Sequence, residues 1–168
     1  MSTEFSIRTA RPGDRAPVSA LLAASYSALM PSGYDEASLA GALPLMTRAN
    51  PKLLSSGTYF VAETAGGRLV GCGGWSRERP GTTDVEPDLG HVRHFGTDPT
   101  WLRRAVGRAL FERCEQTARA VGVRRFECYS SLNAERFYKA LGFETVSRVD
   151  ISMGAGLMLP SILMARPI

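Results

Sequence analysis

The stretch that most constrains the fold is residues 90–110, GHVRHFGTDPTWLRRAVGRAL, which predicts a strand, a proline-marked stop and then a helix. Residues 91–97 are compatible with a strand, and Pro99 ends it because proline has no amide to give to a ladder. From Trp101 onward apolar residues recur at three- and four-residue spacing, which predicts an amphipathic helix ending near Gly122.

The start of this predicted helix has the properties of an anion site. Its first turn, residues 102–108, would present backbone amides without intrahelical partners at the positive end of the helix dipole. Three arginines in the same turn add positive charge: Arg103, Arg104 and Arg108. A phosphate group would be stabilised there. The alternative is an ordinary amphipathic helix whose arginines form a solvated face.

Length and charge narrow the class of protein. A chain of 168 residues is enough for one domain with a core, so we expect a single domain over 1–168. The formal charge of +4 permits a nucleic acid, an anionic membrane or an anionic cofactor as partner. Arginines cluster around the predicted phosphate helix, and no long basic run contains interleaved aromatics. The distribution favours an anionic cofactor and predicts no nucleic-acid partner.

Cysteine spacing and hydropathy give further expectations. Cys72, Cys114 and Cys128 are widely spaced, and the sequence has no Cys/His cluster, so no metal site is expected. No apolar run approaches the ~20 residues of a membrane helix, and the N-terminal region lacks an apolar signal core. These features predict a reduced, cytoplasmic protein with no membrane partner.

The order of predicted elements favours a mixed sheet with helices against it. The pattern is β-α-α-β-β-β-α-β-α-β-β, with a hairpin at Gly66-Gly67 and a parallel crossover through the central helix. The glycines of residues 71–74 lack the spacing of a nucleotide loop and are better explained by a bulge or by close packing. The predicted strands are residues 5–9, 58–63, 69–75, 91–97, 126–129, 146–152 and 161–165.

Two segments resemble the motifs of the GNAT superfamily of acetyl-CoA-dependent N-acetyltransferases. The central motif of that family is a strand ending in Val-x-Pro, followed after two residues by Arg/Gln-x-x-Gly-x-Gly/Ala. Anchored on Pro99, Leu102 takes the Arg/Gln position, Ala105 the first glycine and Gly107 the second. A second register, starting at Arg104, fits the letters better but lies two residues further from the proline. We prefer the proline-anchored register.

The second segment is more specific. AERFYKALGF, residues 134–143, resembles the family pattern A-x-x-[LF]-Y-x-x-x-G-F preceded by Asn or Ser, with Ser131 in that polar position and Asn133 as an added cap. The resemblance implies an α/β (α+β) fold, in which a mixed, mostly antiparallel sheet of about six to seven strands is flanked by about four helices. It also implies acetyl-CoA as the acyl donor, with no metal.

The resemblance implies which residues bind acetyl-CoA. Main-chain groups of residues 95–97 would hold the pantetheine, and amides of residues 103–108 the diphosphate. A methyl group at Ala105 could crowd the diphosphate, unless residue 105 has ordinary helical dihedrals, in which alanine favours the helix by about 1 kcal/mol over glycine. The positions expected to bind the cofactor are Phe95, Gly96, Thr97, Arg103, Arg104, Ala105, Val106, Gly107, Arg108, Ser131 and Asn133.

The implied chemistry needs a base for the acceptor amine and an acid for the thiolate. His91 lies eight residues before Pro99, where many members of the family carry a glutamate, and imidazole suits the role of base. Strand alternation puts His91 on the face of Phe95 and Thr97 and His94 on the other. Glu78 and Glu86 are the alternatives. Tyr138 occupies the family position of the acid, and the alternative is that its ring packs with Phe137 against the sheet.

We therefore expect an N-acetyltransferase that transfers acetyl to a primary amine of a small molecule or protein, by direct attack in a ternary complex. A non-catalytic acyl-CoA sensor is the alternative, motivated by Leu102, by Ala105 and by the missing strand glutamate. An RNA-associated domain has only the charge in its favour. The acceptor cannot be read from the sequence, although Tyr26 and Tyr34 would face it in this family. A homodimer is possible.

Overall fold

The computed structural model describes residues 4–168. Its strands form one seven-stranded sheet. The strands lie in the order β1-β2-β3-β4-β5-β7-β6, and every neighbouring pair is antiparallel except β4 and β5. The strands are β1 Phe5–Thr9, β2 Tyr59–Thr64, β3 Leu69–Ser76, β4 Leu89–Thr97, β5 Arg125–Ser131, β6 Glu144–Ser152 and β7 Met158–Pro167.

Five α-helices accompany the sheet within residues 4–168. They are α1 Arg15–Leu29, α2 Glu36–Met46, α3 Pro51–Leu54, α4 Val106–Ala120 and α5 Glu135–Ala140. The mixed, mostly antiparallel sheet confirms the fold class expected from the sequence. The short α3 is additional, and the side chain of Asn50 caps it by accepting from the Lys52 amide at 2.9 Å.

Helices pack closely on both faces because glycines in the central strands leave room for them. A Cβ added at Gly71 would lie 2.4 Å from Val106 of α4, so this face of β3 accepts the helix only without a side chain. On the opposite face, a Cβ at Gly96 would lie 3.1 Å from Leu22 of α1. Close packing, one of the two explanations predicted for the β3 glycines, is therefore confirmed at Gly71.

The central strand β4 is interrupted by a bulge at His94. His94 has a φ of 56°, and the register between β3 and β4 shifts between Cys72 and Gly74. A bulge breaks the alternation of side chains along a strand. The prediction that His91 shares a face with Phe95 and Thr97 is therefore wrong, because strict alternation does not continue through His94.

Strands β4 and β5 separate soon after they meet. They pair only at Leu89–Arg125, Gly90–Phe126 and His91–Glu127, while β5 continues to pair with β7 as far as Ser131. The edge of β4 from Val92 to Thr97 consequently lacks a partner strand on the β5 side. The sheet opens into a wedge at that point.

The segment after β4 differs from the sequence prediction. Pro99–Trp101 form one turn of 3-10 helix, and the α-helix begins at Val106 rather than at Trp101. Between them Leu102 is extended, whereas Arg103 and Ala105 have φ values of 61° and 62°. Left-handed residues cannot continue an α-helix, so the predicted helical first turn at residues 102–105 is instead a loop.

The three cysteines are buried and unbridged, and burial raises the pKa of the Cys72 thiol to about 12.

Within residues 4–168, no helix combines the length and the hydropathy needed to span a membrane.

Candidate active site

A cleft of about 310 Å³ fills the wedge between β4 and β5. One wall is the bulged end of β4, from Val92 to Thr97, and another is the end of β5 with the turn that follows it. Helices α1 and α5 contribute Tyr26 and Tyr138. Of the predicted cofactor positions, the cleft is lined by Phe95, Gly96, Thr97, Ser131 and Asn133.

Helix α1 contacts the main chain of β4 inside the cleft. The Tyr26 hydroxyl donates to the carbonyl of Phe95 at 2.7 Å, and the Thr97 amide donates to the Ser25 hydroxyl at 3.3 Å. Tyr26 lies in the cleft wall, and its contact with an acceptor stays a prediction. Tyr34 connects β7 with the 3-10 turn after β5. Its hydroxyl donates to the Pro160 carbonyl and accepts from the Leu132 amide.

The side-chain amide oxygen of Asn133 is buried without a hydrogen-bond donor among residues 4–168. Asn133 lines the cleft beside Ser131, at the 3-10 turn that precedes α5. Because an unpartnered buried oxygen costs about 1–3 kcal/mol, a ligand donor in the cleft would relieve it.

Tyr138 is held by aromatic rings while its hydroxyl stays free. The residue is 8% exposed, and its ring packs against Phe95, Phe137 and Phe143 with centroids 5.0–6.4 Å apart. No residue of the described chain accepts or donates a hydrogen bond at the hydroxyl. Burial raises the pKa of Tyr138 well above its ordinary value, so the phenol remains protonated at neutral pH.

The loop before α4 presents a row of free amides. Among the residues that the structure covers, no carbonyl accepts from the amides of residues 103–108; the first helical bond runs from the Ala109 amide to the Ala105 carbonyl. Successive amides around left-handed residues form a concave anion site. Leu102, next to this loop, lines the cleft, and a Cβ added at Gly107 would lie 2.6 Å from the cleft residue Phe137.

The arginines of this loop differ in their contacts. Arg104 lies over the ring of Trp101 at 4.7 Å and pairs with Glu4 at 3.3 Å. Arg108 donates to the carbonyl of Ala140 at 3.4 Å. These side chains are exposed, so the unpartnered backbone amides are the more rigidly held donors of residues 103–108.

The two histidines have different environments. His91 is 3% exposed, does not line the cleft, and has a buried Nδ1 without a partner in residues 4–168. Burial, with the charges of Arg79 and Arg93, lowers its pKa. His94 lines the cleft, and its Nε2 lies 2.6 Å from the carbonyl oxygen of Met46. Burial lowers the pKa of His94, and the Arg93 charge acts in the same direction.

The Met46 contact determines the tautomer of His94. A carbonyl can only accept, so Nε2 carries the proton and Nδ1 keeps its lone pair. Sequence reasoning missed this arrangement because the bulge that turns His94 toward the cleft, and the helix end that meets it, have no signature in the local pattern.

A family model described as "Acetyltransferase (GNAT) domain" matches residues 41–157. That range covers β4 and β5, the segment of residues 103–108 and both of the motifs. The chain belongs to the GNAT acetyltransferase family. The left-handed φ at Ala105, a conformation that favours glycine, agrees with the proline-anchored alignment of the first GNAT glycine onto this residue.

Solved GNAT structures share the fold. A GCN5-related N-acetyltransferase from Rhodopseudomonas palustris superimposes with a TM-score of 0.76, at 22% identity over 100% of this chain and 98% of that chain. The PaiA N-acetyltransferase from Thermoplasma acidophilum, in complex with coenzyme A, gives 0.71 at 15% identity over 100% of both chains. The ribosomal-protein-S18-alanine N-acetyltransferase from Escherichia coli gives 0.65 at 16% identity over 98% and 94%. No curated protein matches the sequence.

Proposed function

We propose that this GNAT protein is an N-acetyltransferase that transfers an acetyl group from acetyl-CoA to a primary amine. The observation that carries the proposal is that Leu102, which lines the cleft, directly precedes residues 103–108, whose amides lack partners among residues 4–168. An elongated ligand with a thioester at one end and a diphosphate further along fits both features. The structural neighbour from T. acidophilum was solved with coenzyme A.

The donor would lie along the open edge of β4. Main-chain groups of Phe95, Gly96 and Thr97 would bind the pantetheine as an added strand. The Phe95 carbonyl already accepts from Tyr26, but a carbonyl oxygen has a second lone pair for a ligand. Ser131 and Asn133 on the opposite wall supply polar groups, of which the buried Asn133 oxygen lacks a donor within the described chain.

The diphosphate would bind the amides of the loop. Arg103, Arg104 and Arg108 would add positive charge around it, and the amides of Ala105, Val106 and Gly107 have no partner within residues 4–168. The backbone of Ala105 is left-handed and not helical, so alanine is not favoured over glycine there. The loop therefore forms at a cost in backbone strain.

The acceptor amine must lose a proton before or during attack. For a lysine-like group with a pKa of ~10.4, deprotonation at pH 7 costs about 4.6 kcal/mol, at 1.36 kcal/mol per unit. His94 lines the cleft and uses Nε2 for Met46, which leaves Nδ1 available and favours His94 as the base. The sequence-based proposal of His91 remains to be tested, but its burial outside the cleft makes direct contact with substrate unfavourable.

The proposed acetyl transfer passes through one tetrahedral intermediate. With one proton of its ammonium form already released to solvent, the neutral amine nitrogen attacks the thioester carbonyl carbon, a C–N bond forms, and the second proton passes to Nδ1 of His94. The C–S bond breaks as the tetrahedral intermediate collapses. Tyr138 donates its phenolic proton to the departing thiolate, giving CoA with a free thiol. The exposed side of the cleft allows both groups to re-equilibrate with water.

A non-catalytic acyl-CoA sensor is the second candidate. The observations in its favour are Leu102 at the Arg/Gln position of the GNAT motif and the strained Ala105. Turnover on any amine excludes this candidate, whereas tight CoA binding without turnover across a broad amine panel supports it.

The test is calorimetry of acetyl-CoA, CoA and CoA lacking the ribose phosphate, followed by an amine screen that reads thiol release. We expect micromolar binding of acetyl-CoA and measurable transfer. Absence of binding overturns the proposal, because the donor site would then not exist. Cytoplasmic location and a homodimer stay predictions, and cell fractionation and light scattering test them.

A further inference from the structure

A second hollow of about 320 Å³ opens on the other side of the bulge. It shares Val92, His94 and Tyr129 with the cleft, so the two cavities lie next to each other, with His94 in the wall of both. We call it the Arg93 hollow. An acceptor bound there would present its amine to the point where the thioester is expected. The volume lies within the ~300–1,000 Å³ range of small-molecule sites.

The charges that line the Arg93 hollow all have one sign. Arg48 and Arg93 contribute to its wall, and no carboxylate of residues 4–168 does. The remaining wall includes the apolar side chains of Leu45, Leu53 and Ile151. A cationic acceptor without an acidic group would therefore meet unfavourable charge, whereas an anionic group would be attracted.

Arg93 is the central feature of this hollow. Its guanidinium is partly buried, and its Nη1 donates to the neutral hydroxyl of Ser76 at 2.9 Å. No carboxylate in the described part of the chain lies within 4 Å of it, although the charge of Glu78 acts on it from further away. Because a partly buried guanidinium gains most from a bidentate anion, its open donors mark a place for one.

We propose that the acceptor is an amino-acid-like molecule, in which a carboxylate accompanies the amine that is acetylated. Arg93 binds the carboxylate, Arg48 adds charge from the exposed rim, and the apolar wall contacts the acceptor side chain. The amine then lies at His94. This inference rests on the proposed function and specifies its acceptor class.

The experiment compares N-acetylated amino acids with matched N-acetyl amines that lack only the carboxylate, such as N-acetyl-leucine and N-(3-methylbutyl)acetamide. Calorimetry on CoA-saturated protein reads binding of these product analogues and needs no turnover. With aliphatic and aromatic members in the panel, we expect at least one carboxylate to bind about tenfold or more tightly than its match.

Three variants test whether that preference depends on Arg93. Arg93→Gln is expected to abolish the tenfold preference, and Arg48→Gln to reduce it, while the exposed Arg15→Gln on α1 leaves it unchanged. Circular dichroism establishes that each variant is folded, and Arg48, at an exposed position, provides the test if Arg93→Gln does not fold. Equal binding of matched pairs, no binding by any carboxylate, or an unchanged preference in both hollow variants would overturn the inference.

The outcomes also separate this inference from the proposed function. Loss of acetyl-CoA binding overturns the proposed function, and the carboxylate comparison is then read on the protein without CoA. Transfer to simple amines with no preference for a carboxylate keeps the acetyltransferase and rejects the role of Arg93. The same comparison with N-acetylated aminoalkyl phosphates distinguishes phosphate as the bound anion, and tighter binding of the phosphates than of the carboxylates rejects the amino-acid-like acceptor.

Discussion

The Nε2 atom of His94 lies 2.6 Å from the backbone carbonyl oxygen of Met46, where the end of α2 meets the bulge of β4. This bond fixes the imidazole ring and leaves Nδ1 as an acceptor. A His94→Asn variant is expected to lower kcat by about 10²- to 10⁴-fold, the usual contribution of a general base. Calorimetry should show acetyl-CoA affinity close to that of the wild type.

The matched control for this variant is His91→Asn. His91 does not line the cleft, so its replacement should alter stability more than kcat. A loss of turnover in the His91 variant, with normal turnover in the His94 variant, would reverse the assignment and support the base chosen from sequence.

The pH dependence of kcat should report the neutral form of His94. Burial is the main cause that lowers its pKa from the usual 6.5, Arg93 acts in the same direction, and the Met46 carbonyl opposes them. A base works when it is unprotonated, so activity is present above the lowered pKa and is lost as pH falls through it. We expect the half-maximal point of the acid limb below pH 6.5.

A profile measured at saturating substrates checks this expectation. The acid limb should disappear from the residual activity of His94→Asn. An acid limb that stays at the same pH in this variant would assign the titration to another group.

Tyr138→Phe removes only a hydroxyl that has no partner among residues 4–168. The ring contacts with Phe95 and Phe143 remain, so the free energy of unfolding should change by no more than about 0.5 kcal/mol. If Tyr138 protonates the thiolate, kcat should fall by about 10²-fold or more while CoA affinity is preserved. Undiminished turnover would limit Tyr138 to a packing role.

Ala105→Gly tests the strain at the start of α4. A left-handed alanine costs about 1–2 kcal/mol, partly offset because glycine gives the unfolded chain more freedom, so we expect stabilisation by about 0.5–1 kcal/mol. Ala109→Gly, inside α4, is the matched control and should destabilise by about 1 kcal/mol. Urea titration measures both variants, and changes of the same sign would contradict this account.

The fold could be predicted because its main signals are local. The Gly66-Gly67 turn, the proline after β4 and the Tyr138–Phe143 segment each act over a few residues, and together they define the order of the elements. The start of α4 was misplaced because Arg103 and Ala105 are left-handed without being glycine. The spacing of apolar residues in this stretch does not indicate left-handed backbone at Arg103 and Ala105.

The candidate site was only partly predictable from sequence. The residues of β4 and the polar turn at Asn133 follow from the motifs and line the cleft. That His94 lines the cleft and His91 does not depends on the bulge, which requires pairing with β3. The Arg93 hollow depends on α2, β5 and β6 meeting around one side chain, and no contiguous stretch of sequence encodes that contact.

The brief pairing of β4 with β5 makes the sheet two panels joined by three residue pairs, with β1–β4 on one side and β5–β7 on the other. A donor bound between the panels would act as a removable strand that completes their connection. Ligand at 100 times its Kd adds about 2.7 kcal/mol to the free energy of unfolding. Amide exchange near the three pairs should therefore slow on addition of acetyl-CoA, coupling the stiffness of the whole sheet to cofactor supply.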